Sequence, residues 1–104
     1  MTQHVTAWTD LPETTGPNGV ARRRIDLPGA SLVTVTIPAG TVAARHSHAT
    51  DQFVQVTAGS GLLTTEQGAR AFAAGSLFVF PAGTWHEARF DTDTVLVETN
   101  LPEG

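Results

Sequence analysis

Three of the four histidines in this chain stand where they could share one ion. His46 and His48 flank Ser47, and His86 lies in a second stretch marked by glycine and proline. On a β-strand, residues i and i+2 project from the same face. His46 and His48 would then sit roughly 6.5 Å apart along the strand. From that separation two imidazoles can tilt toward one ion at metal–nitrogen distances of about 2.0–2.1 Å. Two ligands hold a metal weakly, so further donors are needed. Gln52 follows four residues after His48, beyond a bend that could place it on an adjacent strand, and His86 must come from a separate strand. Imidazole suits zinc, copper, iron and nickel, whereas a carboxamide oxygen is a weaker, neutral ligand. Read by spacing alone, His-x-His is also consistent with a solvent-facing pair that holds nothing. Asp51 is an alternative to Gln52, because the bend leaves parity open. His4 belongs to an N-terminal arm and is read as non-functional.

Positioning these groups is a task for strands. After a turn-rich segment, Asp10 to Gly19, with room for one helical turn at Leu11 to Thr14, the chain alternates β-branched runs with turn signals. The runs are 20–27, 31–37, 41–48, 52–57, 62–66, 69–73, 77–80, 85–90 and 95–98. Residues 62–73 read as a hairpin turning at Gln67-Gly68. Nine short strands with no long helix predict an all-β sandwich or barrel. The string Pro-Ala-Gly-Thr occurs at 38–41 and again at 81–84, each copy leading into a histidine-bearing run. It predicts equivalent corners in two halves of a barrel. Length fits one domain, divided into an arm and loop (1–19), a barrel (20–98) and a loose tail (99–104).

The bulk composition excludes several functions. The 104 residues carry a net charge of −4, which argues against nucleic acid and anionic membranes as partners. Arg22-Arg23-Arg24 is the sole basic cluster and reads as a solvated or ion-paired strand edge. Cysteine is absent, which removes disulfides, thiolate zinc sites and thiol nucleophiles, and fits a cytoplasmic setting. No apolar run approaches a membrane span, and the first residues do not read as a signal peptide. Lysine and tyrosine are also absent, and no spacing indicates a Ser-His-Asp arrangement or a phosphate loop. Any reaction must lean on the metal. Glu87, adjacent to His86, should face away from it. Phe53, Phe78, Phe80, Trp85 and Phe90 are core or pocket wall. Among them Phe53, Trp85 and Phe90 are candidates to line a substrate pocket, with Trp85 at the barrel mouth.

Residues 40–59 and 75–90 resemble the two motifs of the cupin superfamily. The first is Gly, five residues, His-x-His, three or four residues, Glu, six residues, Gly. Here it is Gly40, His46, His48, Gln52 at the Glu position, and Gly59. The second is Gly, five residues, Pro-x-Gly, two residues, His, three residues, Asn. Here it is Gly75, Pro81, Gly83, His86, and Phe90 at the Asn position. The resemblance implies a double-stranded β-helix, or jelly-roll barrel, with one divalent transition metal (Fe, Mn, Ni, Cu or Zn) on His46, His48, Gln52 and His86. It also implies a homodimer paired through sheet edges and N-terminal strands, and a small-molecule substrate. The two departures carry consequences. Gln52 removes a negative charge, which should leave the metal more Lewis acidic. Phe90 removes a polar group and, with Ala88, should make the inner cavity apolar. Dioxygenase chemistry is the first expectation. A Lewis-acid isomerase, cyclase or hydratase and a non-catalytic binding module are the alternatives.

Overall fold

The computed structural model describes residues 4–102. Ten strands follow in order: β1 (Thr14–Thr15), β2 (Ala21–Leu27), β3 (Ala30–Ile37), β4 (Val42–His46), β5 (Gln52–Ala58), β6 (Ser60–Thr65), β7 (Gly68–Ala73), β8 (Leu77–Phe80), β9 (His86–Phe90) and β10 (Thr94–Asn100). They form two sheets, one ordered β1-β2-β3-β10-β5-β8 and the other β4-β9-β6-β7. Pairing is antiparallel throughout. This is the jelly roll that the motifs imply. Among the described residues, no helix is long and apolar enough to cross a membrane.

The larger sheet is built from strict alternation. Ser31, Val33, Val35 and Ile37 of β3 are buried, while Leu32, Thr34 and Thr36 turn away. Register keeps inner residues opposite inner residues: Val35 pairs with Leu96, and Leu96 with Val56. One apolar face per strand, matched across the ladder, is what fixes register against a one-residue slip. The smaller sheet contributes Phe72 and Phe90; the Phe72 ring meets Phe78 of the larger sheet and Phe90 of its own edge-to-face, at centroid distances of 5.2 and 5.7 Å.

The two Pro-Ala-Gly-Thr strings form corners with matching bonds. In each, the alanine N–H donates to an aspartate carboxylate, Ala39 to Asp93 and Ala82 to Asp51, both at 2.8 Å. In each, the threonine N–H donates to the proline carbonyl. In each, the glycine takes a positive φ, +84° at Gly40 and +83° at Gly83, which non-glycine residues adopt only with strain. The glycine N–H then reaches a neighbouring segment: Gly40 to the Phe90 carbonyl at 2.7 Å, Gly83 to the His48 carbonyl at 2.8 Å.

Some boundaries differ from expectation. Short helical turns lie at Trp8–Asp10 and Pro17–Gly19, not at Leu11 to Thr14. Thr14–Thr15 instead pairs with β2 as a short edge strand. The strand expected over 41–48 stops at His46. The tail begins later than residue 99, because Thr99 and Asn100 remain in β10, paired with Phe53 and Gln52. The final two residues of that tail lie outside the described residues.

Candidate metal centre and its cavity

The antiparallel pairing of β4 and β9 sets His46 directly opposite His86. A register shift between Ala43 and His46 interrupts that ladder. Such irregularities bend a strand and re-aim its side chains. His48 lies past the end of β4, so its placement owes less to strand parity than to its own carbonyl, held by the Gly83 N–H. The outcome is three imidazoles in one cluster. Ring centroids are 4.2 Å apart for His46–His86, 5.1 Å for His46–His48 and 5.3 Å for His48–His86. One nitrogen from each ring lies within 4.8 Å of the others.

The rings are oriented by their surroundings. His46 Nδ1 donates to the Ala44 carbonyl at 2.7 Å, which leaves the lone pair on Nε2. Phe80 stacks face to face on His86 with centroids 4.0 Å apart. His86 is buried, and its Nδ1 has no hydrogen-bond partner among the described residues. An orphaned buried nitrogen is unfavourable in a finished core and fits a site built to be filled. Burial, then the neighbouring His46 and His48, lower the His86 pKa to about 4. The Thr84 backbone pulls weakly the other way without reaching hydrogen-bond geometry. His48 is also lowered, by burial and then by His46. Near neutral pH His48 and His86 are therefore uncharged, the form in which imidazole binds metal.

Gln52 opens β5, is buried, and donates from Nε2 to Asn100 Oδ1 at 2.8 Å. Its carbonyl oxygen is thus the atom left for other partners. Asp51, one residue earlier, is occupied at the 81–84 corner through the Ala82 N–H. This divides the two alternatives: Gln52 lines the cavity with the histidines, and Asp51 fastens the loop.

Two chambers meet here. An inner one of about 240 Å³ is walled by His46, His86, Ala88, Phe90, Phe80 and Leu96, among others. Its apolar floor matches the expectation drawn from Phe90 and Ala88. An outer one of about 790 Å³ has a mixed lining that takes in Pro12, Thr14, Arg24, Asp26, Thr50 and Asn100. Four residues line both: Arg22, His48, Gln52 and Glu98.

A family description for the cupin domain matches residues 33–99. The chain is a cupin. A search of the curated proteins finds no match. Among solved structures it is similar to an RmlC-like cupin from Shewanella frigidimarina (20% identity, 97% of this chain and 92% of that one, TM-score 0.88). It is also similar to KdgF from Halomonas sp. (24% identity, 99% and 96%, TM-score 0.86). A third is Bacillus subtilis oxalate decarboxylase, a protein with Mn(II) centres (19% identity, 95% of this chain but 29% of that one, TM-score 0.79). At these identities the likeness speaks to the fold.

Within this cupin, the three aromatic pocket candidates separate. Phe90 is buried on the inner chamber wall. Phe53 is not on that wall. It follows buried Gln52 on a strand of period two, so it points outward and is 48% exposed. Trp85 lines neither chamber; the Arg45 guanidinium lies 3.7 Å from its ring centroid, and Arg45 also pairs with Glu87. Glu87 accordingly faces away from the histidines, as expected.

Sequence reasoning missed Glu98 and Arg22. Glu98 shares the inward face of β10 with Thr94 and Leu96, opposite Val33 and Val54. Burial raises its pKa; Arg22, His46 and Arg24 oppose that, in decreasing order. The signal was present, since an acidic residue two positions after an inward leucine breaks the apolar pattern of the strand. Arg22 and Arg24 lie opposite buried Val35 and Val33, so they face the cavity. Only Arg23 of the triplet turns away, donating to the Trp8 and Leu11 carbonyls and pairing with Glu13. The ion-paired reading of the cluster holds for Arg23 with Glu13 and Arg24 with Asp26, and the structure adds that Arg22 and Arg24 line the cavity while Arg23 anchors the arm.

Proposed function

We propose that this cupin is an enzyme that holds one divalent transition metal on His46, His48 and His86, with the Gln52 carboxamide as fourth ligand, and acts on a small organic molecule. The observation that carries the reading is the three converging imidazoles, one with a buried nitrogen lacking any partner among the described residues. The Mn(II) centres of oxalate decarboxylase support an ion of this kind. The ion, when bound, supplies Lewis acidity toward a carbonyl or a water. The chain's own residues orient and enclose. The Ala44 carbonyl sets the His46 tautomer, Phe80 holds the His86 ring, Asn100 anchors Gln52, and Phe80, Phe90 and Leu96 give the inner chamber an apolar wall.

Glu98 favours one reaction class. Among the described residues it is the one carboxyl on the inner chamber wall, and its raised pKa suits holding or moving a proton. Isomerisation, cyclisation and hydration all require that step, so the Lewis-acid reading comes first. A dioxygenase is the second reading, supported by an apolar chamber that admits a nonpolar gas beside the histidines. Metal analysis tests the site: about one ion per chain is expected, lost in a H46A/H48A variant, and unchanged content would overturn the proposal. Deuterium uptake from D₂O into small carbonyl compounds then tests the first reaction class. Oxygen consumption with diketones, flavonoids and phenols tests the second. Silence in both with the metal bound would leave a binding module.

The homodimer belongs to the same proposal. Phe53 and Val79 pair across β5 and β8, and Leu77 joins them on the outer face, all exposed. An apolar strip along an edge strand supports pairing with a second copy.

A further inference from the structure

We propose that the substrate carries a carboxylate, received by Arg22 and Arg24 at the junction of the two chambers. The inference rests on the metal-site reading above and adds the chemical class of what that site accepts.

Arg22 and Arg24 are two residues apart on β2, so their side chains leave the same face, roughly 6.5 Å apart at their origins. That face is the inner one, since their cross-strand partners Val35 and Val33 are core residues. Among the described residues Arg22 makes no side-chain hydrogen bond and no ion pair. Arg24 uses only Nε, which donates to Asp26 at 2.7 Å. The two terminal nitrogens of each guanidinium are thus free of protein partners among the described residues. A guanidinium presents parallel N–H donors that match the two oxygens of a carboxylate.

The charge balance points the same way. The chain is acidic, at −4 overall, yet two of its six basic residues line this cavity. Asp26 is engaged with Arg24. Glu98 also lines the wall, beside Arg22. A dianionic phosphate would face Asp26 and Glu98 together, which favours a monoanionic carboxylate.

Position supplies direction. Arg24 lines only the outer chamber, Arg22 lines both, and His46 and His86 line only the inner one. A molecule whose carboxylate sits on the arginines extends its other end past Glu98 toward the histidines. The class is therefore a small organic acid with a second oxygen function, such as an oxo or hydroxy acid.

The test is calorimetric binding of pyruvate, of neutral pyruvamide and of inorganic phosphate to the metal-loaded full chain at fixed ionic strength. Arg22→Gln and Arg24→Gln should each weaken pyruvate binding about ten-fold or more, with pyruvamide binding and metal content unmoved. Arg23→Gln removes the same charge from the opposite face and should leave pyruvate binding intact. Equal binding of pyruvate to wild type, R22Q and R24Q overturns the proposal. So does tighter binding of phosphate than pyruvate, or no pyruvate binding at millimolar concentrations. The two readings fail separately. If arginine-dependent pyruvate binding persists in a protein that takes up no metal, the metal reading falls alone. If metal binds and the arginines are indifferent, this one does. Thermal melts of each variant separate loss of the anion site from loss of the fold.

Discussion

At Gln52 a neutral amide stands where the related motif has a carboxylate, and the donor set is correspondingly uncharged. Gln52→Glu should tighten metal binding, read by competition with a chelator, and Gln52→Ala should weaken it. Glu98→Gln should reduce turnover by about a hundred-fold or more while leaving metal content unchanged, the signature of a lost proton-transfer group. Loss of metal together with activity would make Glu98 part of the metal site instead. Acid should act on the metal-free protein in a defined direction. His86 is lowered from 6.5 to about 4 in the fold, so the unfolded chain takes the proton first. Stability should then fall as pH drops from about 6.5 to about 4. Glu98, raised above 4.5, contributes with the opposite sign. Melts of the Glu98→Gln variant should therefore show a steeper loss than wild type. The residues legible beforehand were those fixed by motif spacing: the three histidines and Gln52. Glu98 left a mark, a carboxylate two positions after Leu96, but only its cross-strand partners Val33 and Val54 show that it faces inward, and the charged run conceals the parity of Arg22.

At the level of elements, β8 and β9 carry the second half of the site. Phe80 both packs the core and stacks on His86. Phe80→Leu removes part of a buried ring, so stability should fall by about 1–2 kcal/mol. Metal affinity should fall further than that change explains, which chelator competition and thermal melts can compare. On β6, a Cβ at Gly61 would collide with the Arg89 carbonyl and approach the Phe72 ring at 2.7 Å. The backbone there cannot yield without breaking the β6–β9 ladder that aligns Thr65 with His86. Gly61→Ala should lower the melting temperature and with it the metal content; a variant of wild-type stability would show that the ladder can move. Strand number and order of occurrence were readable because Pro and Gly punctuate the β-branched runs. The end of β4 was not, since the register shift that stops it leaves no mark in residue type.

For the whole molecule, the sheets divide labour: one supplies Gln52, Glu98 and the arginines, the other His46 and His86. Replacing Leu77 and Val79 by lysine should shift the mass in solution from dimer to monomer, as light scattering would show, with metal content retained. A monomeric wild-type chain would remove the dimer from the proposal. That the two motifs meet was legible from their order and spacing; that they pair strand for strand within each sheet, β4 with β9 and β5 with β8, was not. The direction of Arg23, which ties the arm to β2 through two carbonyls, was not, because nothing in three identical side chains marks the middle one.

The twin corners have a practical consequence for watching the site assemble. The Gly83 amide is bonded to the His48 carbonyl, whereas its counterpart, the Gly40 amide, is bonded to the Phe90 carbonyl, away from the histidines. Local opening controls how fast such protons trade with solvent. Adding zinc should slow deuterium exchange at Gly83 far more than at Gly40, giving one molecule both its reporter and its reference.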